Sequence, residues 1–453
     1  MRIFTARILF VTVLGLFGIL SGTVSVFGQG SVCDAVPGQI LVNLVDQSHL
    51  TAVANTYGLQ TTPIEQVGVP PTYRMAFLSG NNQTPCALQA AMQGDARVAR
   101  VEVNRILSSV ENQGLPWTLG RSWAIGRSWA IGSSLKGYAK QWFPRTVRLQ
   151  QAHTITKGIR VDNGQPVVVA VLDTGIDLTH PAFAGRLVPG YDFVGNDNDP
   201  SEEGMTRVDP AYGHGTHVAG IVALTAPDVK IMPIRVLDKD GEGELWRVTA
   251  AIIWAANNGA NVINISFGYP TEPDLLKNLL DNCDDIPPPA GAQTFPELLA
   301  KVAVVSGAGN SGNGNLIYPA GRRINAQIGV GASTRYENLT SFTTMSVGWS
   351  GSERIIRAVA PGEEIVSALP GGRYGLWSGT SMAAPIAAGI AALVKARNPA
   401  WAPHAVTEQL YEAGIEWRCV HPTRREIRTA RVDAFCAVTG NTECGENPFA
   451  CDR

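Results

Sequence analysis

Between residues 148 and 437 short apolar runs alternate with helical stretches, and no other feature restricts the fold of this chain as strongly. The run at 167–172 is apolar at every position, as a strand buried on both faces requires. Residues 229–237, 262–265, 302–306, 328–330 and 357–359 are further strand candidates, and 214–223, 245–257 and 381–396 have helical composition. This repetition predicts an α/β fold: a doubly wound, mostly parallel sheet with helices on both faces. A chain of 453 residues accommodates one such large core together with a smaller unit.

The smaller unit is expected at 33–110, as a small α+β domain. Strand patterns at 39–44, 73–78 and 98–107 and helical stretches at 48–57 and 85–93 are read as three of the four strands and both helices of the order βαββαβ. Ahead of it, Arg2 and Arg7 followed by an apolar stretch from Ile8 and then small residues read as a signal peptide at 1–28, whose removal leaves no stable membrane span. An uncleaved anchor is the alternative. Residues 111–147 read as a linker. It contains a hexapeptide, 120–125, repeated at 126–131, which reads as a slipped duplication in a tolerant loop. Residues 438–453 form a cysteine-containing tail.

With 45% hydrophobic and 16% charged residues the composition is that of a globular protein. A net charge of −2 offers no electrostatic grip on nucleic acid. Export places the seven cysteines in an oxidising compartment. Cys33 and Cys86 are expected to form one bridge. Cys419, Cys436, Cys444 and Cys451 allow two more of unspecified pairing, and Cys283 is left over. There is no Cys-x-x-Cys spacing to suggest zinc, and no other metal site is expected.

Three glycine-punctuated segments carry the chemistry: Asp173-Thr174-Gly175, Gly213-His214-Gly215-Thr216-His217 and Gly379-Thr380-Ser381. Each has a plain reading alone, as a strand-end turn, a structural histidine or a helix N-cap. Together they supply an acid, a base and a nucleophile. A serine hydroxyl needs a base to take its proton during attack on a carbonyl. Imidazole titrates near neutrality, and an aspartate on its other nitrogen fixes the tautomer. Asn310, in the glycine-rich turn 307–312, is placed to offer a side-chain N–H to the developing oxyanion, with the Ser381 N–H as second donor. His217 is read as structural or pocket-lining.

These segments, in the order Asp, His, Ser, resemble those of subtilisin-like serine proteases, the subtilases, and the similarity extends from about 149 to 437. The resemblance implies a secreted serine endopeptidase working through an acyl-enzyme, with Asp173, His214 and Ser381 catalytic and Asn310 in the oxyanion hole. Polypeptides would be its substrates. It also implies that Gly241, Glu242 and Gly243 belong to an edge strand pairing with the substrate, and that Ser266, Phe267 and Gly268 line one wall of the specificity pocket. Gly307, Ala308 and Gly309 line the other. Residues 33–110 resemble the family's inhibitory propeptide, so the protein would be a self-processing zymogen cut near Val110.

The chain departs from the family where 222–228 runs almost directly into the next strand, which leaves no room for the tight calcium loop of many relatives. No cofactor is therefore expected to be required. Asp192, Asp197, Asp199, Glu202 and Glu203 read as a solvated acidic loop, with a weak calcium site as the alternative. Glu242 and Glu244 suggest a taste for basic residues at secondary positions. Two other functions stay open: a transpeptidase or ligase that passes the acyl group to an amine, and a non-catalytic binding protein on the same scaffold.

Overall fold

The structure, a computed structural model, describes residues 33–109, 135–206, 208–281, 300–312, 314, 317–322, 326–345, 356–420, 426–441 and 446–447. The expected signal peptide, the duplicated hexapeptide, Val110, Cys283, Cys444 and Cys451 lie outside them. The chain divides into two compact units, residues 1–33 and 34–453.

The second unit begins with β1 (Gln39–Leu44), α1 (Leu50–Tyr57), β2 (Glu65–Val67), β3 (Thr72–Ala76), α2 (Pro85–Met92) and β4 (Val98–Glu102). The strands pair antiparallel in the order β2-β3-β1-β4. Thr84 starts α2, its Oγ1 accepting the Ala87 N–H at 3.2 Å, with Pro85 in the first turn where no N–H is needed. Cys33 and Cys86 are both disulfide-bonded. The single strand expected at 98–107 is broken at Val103-Asn104-Arg105. Beyond the break, β5 (Ile106–Ser109) joins a different sheet.

The rest of the unit supplies β6 (Val168–Asp173), β7 (Tyr191–Asp192), α3 (His214–Thr225), β8 (Lys230–Arg235), β9 (Glu242–Glu244), α4 (Leu245–Asn257), β10 (Val262–Ile265), β11 (Phe267–Gly268) and α5 (Asp274–Asp281). There follow β12 (Ala303–Gly307), β13 (Gln327–Ser333), β14 (Ala358–Pro361), the hairpin β15 (Ile365–Leu369) and β16 (Arg373–Trp377), then α6 (Thr380–Arg397) and α7 (Pro403–Glu412). Last come β17 (Ile415–Val420), β18 (Glu426–Arg431), α8 (Ala434–Thr439) and β19 (Glu446–Asn447). Ten strands form one sheet in the order β19-β17-β18-β14-β13-β12-β10-β6-β8-β7, parallel in every pair except β17–β18.

Strand β6 shows why its sequence is apolar throughout. Val169 and Val171 point into a core shared with α3 and α6, while Ala170 and Leu172 point into one shared with α4 and α5. A strand covered on both faces has no solvent-facing position for a polar residue. Residues 135–147 hold two short helical turns, and Phe143 and Val147 are fully buried in the α3/α6 core. Their apolar side chains anchor the segment to the body.

Candidate active site

The chain runs from β6 outward to β8 on one side, then crosses to β10 on the other. The C-terminal end of β6 is therefore the point where strand order reverses, the usual ligand site of an open α/β sheet. Asp173 occupies that end, fully buried. Its Oδ1 lies 2.6 Å from His214 Nδ1 and also accepts the Thr174 N–H at 2.8 Å. His214 is the first residue of α3, after Gly213 in the left-handed conformation with φ 94°. A Cβ on Gly215 would lie 2.1 Å from the Gly175 carbonyl oxygen, so only glycine lets the helix approach the strand end this closely.

Ser381 is brought to the same place through β10. Ile265 pairs with Leu172, so Ser266 and Asp173 are the next residues out of two neighbouring strands. Ser381 Oγ donates to the Ser266 carbonyl at 3.1 Å, and Ser266 Oγ donates to the Ser381 carbonyl at 3.3 Å. The second bond has a local cause. Pro385 is the sixth residue of α6 and lacks the N–H that would have bonded the Ser381 carbonyl.

Asn310 lies against the start of α6. Its Oδ1 accepts the Thr380 N–H at 2.9 Å, while its Nδ2 is buried and has no hydrogen-bond partner among the described residues. An amide fixed through its oxygen keeps its N–H₂ available to a ligand oxygen. Gly307, Ala308 and Gly309 pack beside it. Gly309, at φ 103°, donates its N–H to Thr380 Oγ1 at 3.0 Å.

The two expected substrate-binding strands flank β5. Leu107 pairs with Gly243 and Ser108 with Glu242 on one side, and Ser108 with Gly268 and Ser109 with Phe267 on the other, all antiparallel. Gly241 precedes β9 in a turn closed by its N–H on the Asp238 carbonyl at 3.0 Å. Glu244 is engaged, 2.9 Å from Arg247 and accepting from Asn104 Nδ2 at 3.1 Å, so of the two acidic residues only Glu242 faces solvent. Upstream of β5, Asn104 Oδ1 accepts the Trp246 N–H at 3.0 Å. Glu102 accepts the Asp274 and Leu275 N–H groups, both at 3.0 Å. These two side chains cap α4 and α5. Burial pushes the Glu102 carboxyl up to about 7, against the two helix N–H groups that favour its charge.

The acidic patch is solvated only in part: Asp197, Asp199 and Glu203 are exposed, whereas Asp192 is buried. Asp192 and Glu203 pair with Arg235 at 2.8 and 2.6 Å. Glu202 reaches back to the site and accepts from Thr174, Gly213 and Thr216. Nothing in the spacing announced this role. His217 is buried and neutral, its pKa pushed down to about 3 by burial. Its ring stacks on Trp377 with centroids 4.7 Å apart and an interplanar angle of 8°. The Trp377 and His214 ring centroids lie 6.1 Å apart, so Trp377 contacts both histidines of α3. Among the described residues no group of three or more His, Cys, Asp or Glu side chains is arranged to hold a metal ion, and no helix is long and apolar enough to cross a membrane.

A family model described as the subtilase family matches residues 164–423, more than half of the chain. The chain belongs to the subtilase family. This subtilase is 37% identical over 273 residues to a thermophilic serine proteinase of Bacillus sp. (strain AK1), covering 58% of this chain and 59% of that one. It is 34% identical over 260 residues to subtilisin E of Bacillus subtilis (strain 168), covering 54% and 60%. It thus spans about three fifths of the length of these curated relatives. In fold it is similar to fervidolysin from Fervidobacterium pennivorans, a keratinolytic enzyme related to subtilisin, with a TM-score of 0.67 at 23% identity over 90% of this chain and 62% of that one.

Proposed function

We propose that this subtilase is a secreted serine endopeptidase, made as a zymogen that processes itself. The buried Asp173–His214 pair at 2.6 Å carries the reading, because it orients an imidazole as a base in a water-poor site. Ser381 Oγ swings from the Ser266 carbonyl, passes its proton to His214 Nε2 and attacks the substrate carbonyl carbon. Asn310 Nδ2 and the Ser381 N–H hold the oxygen that becomes negative. Collapse breaks the C–N bond, and the leaving amine takes the proton back from His214. Water, deprotonated by the same imidazole, then adds to the acyl carbon; the bond to Ser381 Oγ breaks and Oγ takes the proton back from His214.

The N-terminal sheet would be the inhibitory propeptide, with β5 as the substrate-like strand that fills the groove until it is cut. The antiparallel ladders on both sides of β5 support this, since peptides commonly bind proteases by adding a strand. The test compares the full-length precursor with its Ser381→Ala variant by N-terminal sequencing and by labelling with a serine-directed phosphonate. A new terminus within a few residues of Ser109, together with labelling, is expected in the parent only. Unaided cleavage in the variant would overturn the assignment.

A further inference from the structure

We infer that Glu202 is a positioning residue for the Asp173–His214 pair, its carboxylate fastening the strand end that carries Asp173 to the helix terminus that carries His214. This rests on the triad reading above and deepens it. Four donors converge on the two carboxylate oxygens. On Oε1 are Thr174 Oγ1 at 2.5 Å and the Gly213 N–H at 3.0 Å; on Oε2 are the Thr216 N–H at 3.0 Å and Thr216 Oγ1 at 2.7 Å. Thr174 follows Asp173 directly, and Gly213 and Thr216 bracket His214.

Both threonine hydroxyls are already acceptors: Thr174 Oγ1 takes the Gly215 N–H at 2.9 Å and Thr216 Oγ1 takes the Asp177 N–H at 2.9 Å. Each hydroxyl's proton is therefore directed at Glu202. The resulting ring of bonds closes from β6 through Glu202 to α3 and back through Asp177. Helix α3 receives no cap from its own N-cap residue, since Gly213 has no side chain. Glu202, from eleven residues upstream, supplies the missing acceptor and a negative charge at the helix N-terminus.

Only an acceptor-only group satisfies all four donors. Glutamine has nearly the same size but turns an NH₂ toward two of them, and alanine leaves them all unpaired. The titratable groups facing Glu202 are Asp173 on β6 and, across the same loop, the Tyr212 phenol, which itself faces Arg373 and Asp177. Burial pushes the Glu202 carboxyl up to about 7, so its protonation falls in the range where activity is measured.

The experiment uses the full chain carrying E202Q or E202A, matured by trace parent enzyme where it does not mature itself. Active sites are counted with a phosphonate titrant, and kcat and KM are measured per titrated site from pH 5 to 9. A purely structural role lowers the number of titratable sites and leaves kcat per site alone. The expected result is a fall in kcat per site of about fivefold or more in both variants, with KM within about twofold. The acid limb of kcat/KM, steeper than one proton in the parent, becomes a single-proton limb in E202Q. A smaller fall in kcat per site, or an unchanged limb, overturns the inference. Failure of the parent itself to react with the titrant overturns the triad reading and this inference together.

Discussion

Asn104 Oδ1 accepts the backbone N–H of Trp246 at 3.0 Å, and so a residue in the break between β4 and β5 starts α4. Asn104→Ala removes this cap, which is worth about 1 kcal/mol. After processing, the cut N-terminal segment should bind the body about fivefold more weakly, measured as its inhibition constant against a peptide substrate.

Leu107 is the apolar anchor of the same contact, 1% exposed and opposite Gly243. Leu107→Ala should cost about 2–3 kcal/mol of docking, a loss of roughly 30-fold or more in inhibition. Equal inhibition by parent and variant segments would show that β5 does not lie in the groove.

Glu102 couples docking to pH. Its carboxyl rises from the ordinary 4.5 to about 7 when buried at the start of α5. A carboxyl that binds its proton more tightly when docked favours docking below 4.5, and that advantage is lost as pH climbs from 4.5 to about 7. The segment should therefore be released more readily at pH 7.5 than at pH 5, and Glu102→Gln should flatten the dependence. The difference between variant and parent isolates this group from others titrating in the window.

The two ends of Asn310 can be separated. Asn310→Asp keeps the acceptor for the Thr380 N–H but loses the free donor; Asn310→Ala loses both. Both variants should lose about 10²–10³ in kcat. Only the alanine variant should also show a clearly lower melting temperature, because it alone leaves the Thr380 N–H unpaired.

Gly215→Ala would drive a methyl group into the Gly175 carbonyl oxygen, 2.1 Å away. Thermal unfolding should register a loss of about 2–3 kcal/mol, and activity should fall with it because α3 must retreat from Asp173.

Much of this was legible from local pattern. The bounds of β1 and α4 agree with the stretches read as strand and helix, because 39–44 and 245–257 each carry one unbroken periodicity between clear stops. Asp173, His214, Ser381 and Asn310 could be singled out because glycine-rich punctuation marks strand ends and helix starts. What was missed depends on tertiary partners. The break at Val103-Asn104-Arg105 exists because Asn104 serves a helix some 140 residues away. Glu202 looked like one more acidic loop residue, since its donors come from two other segments that only the fold assembles. Phe143 and Val147 were passed over beside a low-information duplication, yet both are core.

Strand β5 is hydrogen-bonded along both edges at once, to β9 and to β11. On the proposed zymogen reading, its departure would open a slot, not a ledge. Whatever entered would have to offer extended main chain to two sides over several consecutive residues, and helices, tight turns and paired strands cannot. Such a slot would admit polypeptide that is already unravelled, or loops slack enough to be drawn out straight, and compact proteins would be shielded by their own architecture.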